Sequence, residues 1–85
     1  MARLIPAAER IVRARELIQQ ARDLAAASKS VRNDLSTIAQ VKDLLRQARD
    51  LVKFIPKYPS ATAEMKEEVS RIFQEAEQAD WEFLH

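Results

Sequence analysis

Residues that could carry out catalysis are scarce in this chain. It contains no cysteine and one histidine, His85, the last of its 85 residues. Ser-His and Cys-His arrangements for nucleophilic catalysis need a histidine beside the nucleophile, and di-iron bundles bind metal through Glu-x-x-His pairs inside their helices. Neither arrangement is available here, so the sequence predicts a protein that is not an enzyme and has no cofactor or metal site.

One group of acidic residues could in principle bind a hard cation. Glu64, Glu67 and Glu68 fall within five residues of one another, and carboxylate oxygens are usual ligands of Ca²⁺ and Mg²⁺. The same residues lie in the first turns of a predicted helix, where the helix dipole favours negative charge. We therefore interpret them as a solvated helix start.

A row of basic side chains, here called the basic stripe, could bind anions. At about 100° per residue its five members fall within about 80° of one another. They are Lys42, Arg46, Arg49, Lys53 and Lys57. The stripe could follow the phosphates of a nucleic acid or an acidic partner, or it could be a solvated edge facing the glutamates of the third predicted helix. We favour the solvated edge, because Asp43 and Asp50 border the stripe and no aromatic residue interleaves with it.

The apolar faces of the first two predicted helices are wider than a one-sided contact requires. On the same projection each spans about 200°, whereas burial against one neighbour takes about 100°. Four leucines, here called the leucine edge, make up the excess: Leu17, Leu24, Leu44 and Leu51. If the third helix covers only one side of the first two, this edge is left for another chain or a second copy. If the three helices pack in a triangle, they cover it themselves, and the sequence leaves both interpretations open.

Trp81 is the remaining candidate for partner binding. It projects nearly opposite the apolar stripe of the third predicted helix, and an exposed tryptophan is a typical anchor in protein interfaces. Because Trp81 lies close to the end of that helix, a frayed turn could instead fold its indole back over the bundle. We favour the second interpretation and keep Trp81 with the leucine edge as a candidate.

Three amphipathic segments of similar length position these side chains. In the middle segment apolar residues recur at spacings of three and four, which is typical of a helix with one packed face. They are Val31, Leu35, Ile38, Val41, Leu45, Ala48, Val52 and Ile55. The first segment carries the same stripe 27 residues earlier, and a fainter copy follows 28 residues later. The pattern predicts helices at about 6–27, 31–55 and 61–84 within a single domain, 1–85.

The residues between the segments are consistent with short connections. Ser30 is placed as N-cap of the second helix, Pro56 and Pro59 should end that helix near Ile55, and Ser60 can cap the third. Short connections make successive helices antiparallel neighbours. The sequence therefore predicts an all-α, up-down-up three-helix bundle with coiled-coil-like packing. Small residues permit close helix approach at Ala14, Ala21, Ala48, Ala76 and Ala79.

Charge is divided unevenly along the chain. Residues 1–33 carry a net charge of +4, residues 34–57 of +2 and residues 58–85 of −5. We expect the acidic third helix to dock against its two basic neighbours. Exposed ion pairs add little stability, but they can favour one helix arrangement over another.

Composition bounds the location and origin of the protein. No run approaches the roughly 20 apolar residues of a membrane span, and the first ten residues lack the apolar core of a signal peptide. We therefore expect a cytoplasmic protein without membrane contact. Glycine is absent, which excludes nucleotide-binding Gly-rich loops. A glycine-free chain rich in Ala, Leu, Glu, Arg and Gln is typical of a thermophile or of an engineered helical protein.

The second half of the chain resembles a known helical module. A proline-bearing connector followed by Met65–Val69, Phe73–Glu77 and Trp81–Leu84 resembles the last two helices of microtubule-interacting-and-transport domains. Those domains are three-helix modules that take a partner helix in a groove. The resemblance covers about half of the chain, and the Arg-rich first helix departs from the pattern. It indicates what a bundle of this kind can do, and we infer no membership from it.

Three functional hypotheses follow. The first is a non-enzymatic helical interaction or self-assembly module that binds a partner helix, or its own copy in a homodimer, through the leucine edge. The second is an engineered or idealised bundle without a natural ligand. The third and weakest is nucleic-acid binding by the basic stripe.

Overall fold

The computed structural model describes residues 6–27 and 35–84, with side chains as far as Glu82. Most of this part is helical: α1 spans Ala7–Ala27, α2 spans Leu35–Val52 and α3 spans Ala63–Leu84. No strand occurs in the described ranges. The prediction of an all-α protein with three helices is confirmed, and the helices pack compactly, with a Cα radius of gyration of 13.9 Å.

The second helix ends earlier than predicted. We expected it to reach Ile55, but its last residue is Val52, and a short 3-10 turn follows over Ile55–Lys57. The amides at the end of this turn bond carbonyls three residues back at 3.0 Å. Pro56 explains the early end, because it has no N–H for an α-helical hydrogen bond and restricts the residue before it.

The third helix begins two residues later than predicted, at Ala63. Thr62, and not the predicted Ser60, caps it: Thr62 Oγ1 accepts a hydrogen bond from the Met65 amide at 3.1 Å. This bond satisfies one of the amides that a helix start leaves without an intrahelical partner. The predicted cap of the second helix, Ser30, lies outside the described residues.

All three helices contribute one face to the hydrophobic core. The core residues recur at spacings of three and four, as expected for helices packed on one side. They are Ile11, Ala14, Ile18, Ala21, Ala25, Val41, Leu45, Ala48, Val52, Ile55, Val69, Ile72, Ala76 and Ala79. The five alanines predicted at helix contacts are all fully buried. The stripe fails at the start of α2, where Leu35 is 81 % exposed and Thr37 is buried instead.

Two ion pairs join α1 to α3. Arg15 Nη1 lies 3.3 Å from Glu75 Oε1, and Arg22 Nη1 lies 3.4 Å from Glu82 Oε2. These contacts agree with the expectation that the acidic third helix docks against a basic neighbour. The four side chains are about a third or more exposed, so the pairs favour one arrangement more than they add stability.

Candidate interaction surface

The leucine edge of α1 faces away from α3. Residues two apart on a helix are separated by about 200° around its axis. Leu17 follows Arg15 by two residues and Leu24 follows Arg22 by two, and both arginines pair with glutamates of α3. The third helix therefore covers the arginine side of α1 and leaves the leucine side to other neighbours.

All four leucines of the edge are half-buried. They pack against the border of the core, and part of each side chain stays accessible. Two of them, Leu17 and Leu51, line a groove between α1 and α2. The edge is thus covered in part by its own chain. The sequence left open whether the bundle covers the edge fully or leaves it to another chain, and the structure shows partial cover. The accessible remainder is the apolar surface available to another helix.

Polar side chains border this groove. They are Arg10, Arg13, Glu16 and Gln20 from α1, and Gln47 and Asp50 from α2. Two positive and two negative charges balance among them. Protein-binding surfaces commonly combine an apolar centre with a polar rim, and the groove has this composition.

Arg10 fixes one end of the groove. Its Nη1 donates a hydrogen bond to the carbonyl oxygen of Leu51 at 3.3 Å. Leu51 lies in the last turn of α2, where carbonyls lack intrahelical partners and the helix dipole favours a positive charge. The bond holds the first turn of α1 beside the last turn of α2. It therefore sets which residues of the two helices lie side by side, at the same position along the helix axes, here called the same height.

The basic stripe lies along the outer face of α2 and the turn that follows. Four of its members are exposed, and Arg49 is half-buried. Its ion pairs within the described chain are made with aspartates of α2: Arg46 contacts Asp43 and Asp50, and Lys53 Nζ lies 3.3 Å from Asp50 Oδ1. We expected the stripe to face glutamates of α3, but the glutamates that pair across helices contact α1 instead.

Asp43 accepts hydrogen bonds from two neighbours on its own helix. A hydrogen bond donated by Arg46, followed by one from Gln47, lowers the pKa of the Asp43 carboxyl group. The same contact with Asp43 raises the pKa of Arg46. The Arg46 guanidinium is therefore engaged within its own helix, which leaves less of the stripe available to a phosphate.

An exposed aromatic ring at the end of the basic stripe was missed by sequence analysis. Phe54 is 52 % exposed, and Nζ of Lys53 and of Lys57 lie 5.0 and 5.8 Å from the centre of its ring. These distances are within the range of cation–π contacts. The position of Phe54 between two basic residues was an available signal. A helical projection could not place the ring, because α2 ends at Val52.

Trp81 lies on the outward side of α3 and is 67 % exposed. It borders a shallow depression with Gln74, Glu77, Gln78 and Asp80. Its exposure agrees with the helical projection and not with an indole folded back over the core. Because the leucine edge lies on the side of α1 away from α3, Trp81 and that edge belong to separate surfaces.

Within residues 6–27 and 35–84, no group of three or more His, Cys, Asp or Glu side chains could hold a metal ion. No helix in these ranges combines the length and the apolar character needed to cross a bilayer. Comparison with protein-family models, curated proteins and solved structures finds no match to this chain.

Proposed function

We propose that the chain is a non-enzymatic interaction or self-assembly module that binds a helix of a partner protein, or of a second copy, through the leucine edge. The observation that carries the proposal is the half-buried state of the four leucines, two of which, Leu17 and Leu51, line the groove. Removing apolar surface from water is favourable by about 25 cal/mol for each Å². A helix laid along the groove would cover the accessible part of these side chains.

The proposal includes an up-down-up order of the helices with coiled-coil-like packing. The hydrogen bond from Arg10 to Leu51 supports opposite directions for α1 and α2, because it joins the start of one to the end of the other. Both ion pairs between α1 and α3 join residues 60 positions apart, which supports a common direction for these two helices. The buried alanines favour the close approach that such packing needs.

Replacement of the leucines at the centre of the edge tests the proposal. The double variant Leu17→Glu with Leu44→Glu places carboxylates where a partner helix would lie. Loss of one central interface residue can cost about 2 kcal/mol. Two such losses, about 4 kcal/mol together, should raise the Kd by roughly a thousandfold. Self-association is measured by sedimentation equilibrium. Partner binding is measured with helical peptides selected on the wild-type chain from a library of amphipathic sequences.

A matched control makes the same chemical change elsewhere. Val12 is 54 % exposed and Leu35 is 81 % exposed, and neither belongs to the edge. The variant Val12→Glu with Leu35→Glu should associate like the wild type, and all three chains should give the same helical circular dichroism. Equal association of the edge variant and the wild type would contradict the proposal. So would a wild-type chain that neither self-associates nor yields an edge-dependent peptide.

Nucleic-acid binding by the basic stripe is a second candidate, which the position of Phe54 supports. Proteins that bind single-stranded nucleic acids combine exposed aromatic rings, on which bases stack, with cationic groups that contact the phosphates. We expect retention on single-stranded RNA to fall steeply with salt, and Phe54→Leu to weaken it by roughly tenfold or more. Phe54→Leu leaves every charge in place, so unchanged binding of this variant, or no binding at low salt, would exclude the candidate.

A further inference from the structure

We propose that the occupant of the leucine edge is a second copy of this chain, related by a two-fold axis that runs along the groove. In this dimer α1 of each copy lies on α2 of its partner, and both copies point in the same direction. The inference rests on the proposed function and names the partner. Three features support it: the area of the face that α1 and α2 share, the positions of the leucines along the helix axes and the placement of the charges that border the groove.

The face that α1 and α2 share, which includes the leucine edge, is large enough for a two-helix partner. The 18 residues of α2 give the shared face a length of about 27 Å. Two helices with axes about 9 Å apart are roughly 18 Å wide in projection, so the face measures about 500 Å² per copy. Two copies would bury about 1,000 Å², which is the lower bound for a specific interface. A single partner helix would cover only about half of the face.

The central leucines of the edge face each other in this arrangement. Leu51 lies beside Arg10 through the hydrogen bond to its carbonyl oxygen. Leu17 is seven residues after Arg10 and Leu44 is seven residues before Leu51. Because α1 and α2 run in opposite directions in the proposed topology, these steps bring Leu17 and Leu44 to the same height. A two-fold axis along the groove keeps heights unchanged, so Leu17 of one copy meets Leu44 of the other.

The charges of the groove complement each other across the same axis. Arg10 and Arg13 lie on the α1 wall and Asp50 on the α2 wall, at the end of the groove that the Arg10 contact defines. The axis brings the α2 wall of the partner over the α1 wall at equal height. Arg13 of each copy then approaches Asp50 of the other. Arg13 now pairs with Glu9, and Asp50 pairs with Arg46 and Lys53. These pairs are exposed and add little stability, so they oppose a contact between the copies only weakly.

A dimer turned end to end would lack this complementarity. Its two-fold axis would run across the groove and place α1 on α1 of the partner in the opposite sense. Arg13 would then lie beyond the middle of the partner's α1, near Gln20 or Leu24, with no carboxylate of the groove opposite. The mixed charges therefore favour the axis along the groove, and they give a test that separates the two arrangements.

Charge reversal with mixing of variants provides the test. In Arg13→Asp each copy sets an aspartate against Asp50 of its partner, and in Asp50→Arg each sets an arginine against Arg13. Two like-charge contacts per dimer should raise the Kd of each variant by roughly 30-fold. An equal mixture should form heterodimers with nearly wild-type affinity, because both contacts again join opposite charges. Only a contact between chains can restore affinity in this way, since each chain keeps its own internal repulsion.

The control mixes Asp50→Arg with Lys66→Asp. Lys66→Asp makes the same charge change as Arg13→Asp, but at an exposed position of α3. This mixture should show no preference for the heterodimer. Sedimentation equilibrium measures the Kd of each variant, and native mass spectrometry measures the share of heterodimer in each mixture. A wild-type chain that stays at 9.8 kDa up to about 1 mM would overturn the second copy as partner, while the selected peptides still test the leucine edge. A dimer that the edge variant abolishes, but whose charge variants show no preference, would overturn this arrangement alone.

Discussion

The side of α1 that faces α3 and the side that carries the leucine edge differ in the contacts that cover them. On one side Arg15 and Arg22 reach glutamates of α3 at 3.3 and 3.4 Å. On the other side Leu17 and Leu24 pack only in part against the core. The covered side thus carries polar contacts between helices, and the open side carries apolar surface. Apolar surface gains from leaving water whereas exposed ion pairs gain little, so the open side has more free energy available for binding.

The largest expected effect is on the free energy of unfolding, and it should distinguish a core leucine from the edge leucine next to it in the sequence. Leu45 is fully buried and Leu44 is half-buried. Leu45→Ala should lower the free energy of unfolding by about 2–5 kcal/mol, because it leaves a cavity. Leu44→Ala should cost much less at low protein concentration and more as concentration rises, because the accessible part of Leu44 is buried only in the proposed dimer. Urea unfolding at two concentrations measures both, and equal losses for the two variants would contradict the distinction.

The smallest effect should come from the covered side. Arg15 and Glu75 are 40 % and 42 % exposed, and exposed pairs contribute about 0.2–1 kcal/mol. A double-mutant cycle with Arg15→Ala and Glu75→Ala should give a coupling energy within this range, and 1 M salt should reduce it. A coupling of several kcal/mol would mean that charge, and not the shared core, holds α3 in place.

The all-α class and most of the core could be predicted because both follow the spacing of the apolar residues. Leu45, Ala48 and Val52 lie where the spacing of three and four puts them, and all are fully buried. The end of α2 was harder to predict, because Pro56 limits the helix without fixing its last residue. The cap of α3 was also ambiguous: Ser60 and Thr62 have similar propensities, and the chosen hydroxyl depends on where the helix starts.

The surface could be predicted only in part. Helical projections of α1 and α2 identified the leucine edge, because its two members on each helix point in the same direction. It could not show that Arg15 and Arg22 meet α3, since that depends on how helices dock. Phe54 was missed for a related reason: its contacts with Lys53 and Lys57 arise in the turn after α2, where helical geometry no longer applies.

The most direct measurement is methyl NMR of the leucine side chains during dilution and during titration with a selected helical peptide. If the leucine edge is the binding surface, the methyl signals of Leu17, Leu24, Leu44 and Leu51 should shift with concentration or with peptide. Those of Leu45, which is fully buried in the core, should stay in place. Constant signals along the edge under both conditions, or shifts confined to the surroundings of Trp81, would contradict the assignment of this surface.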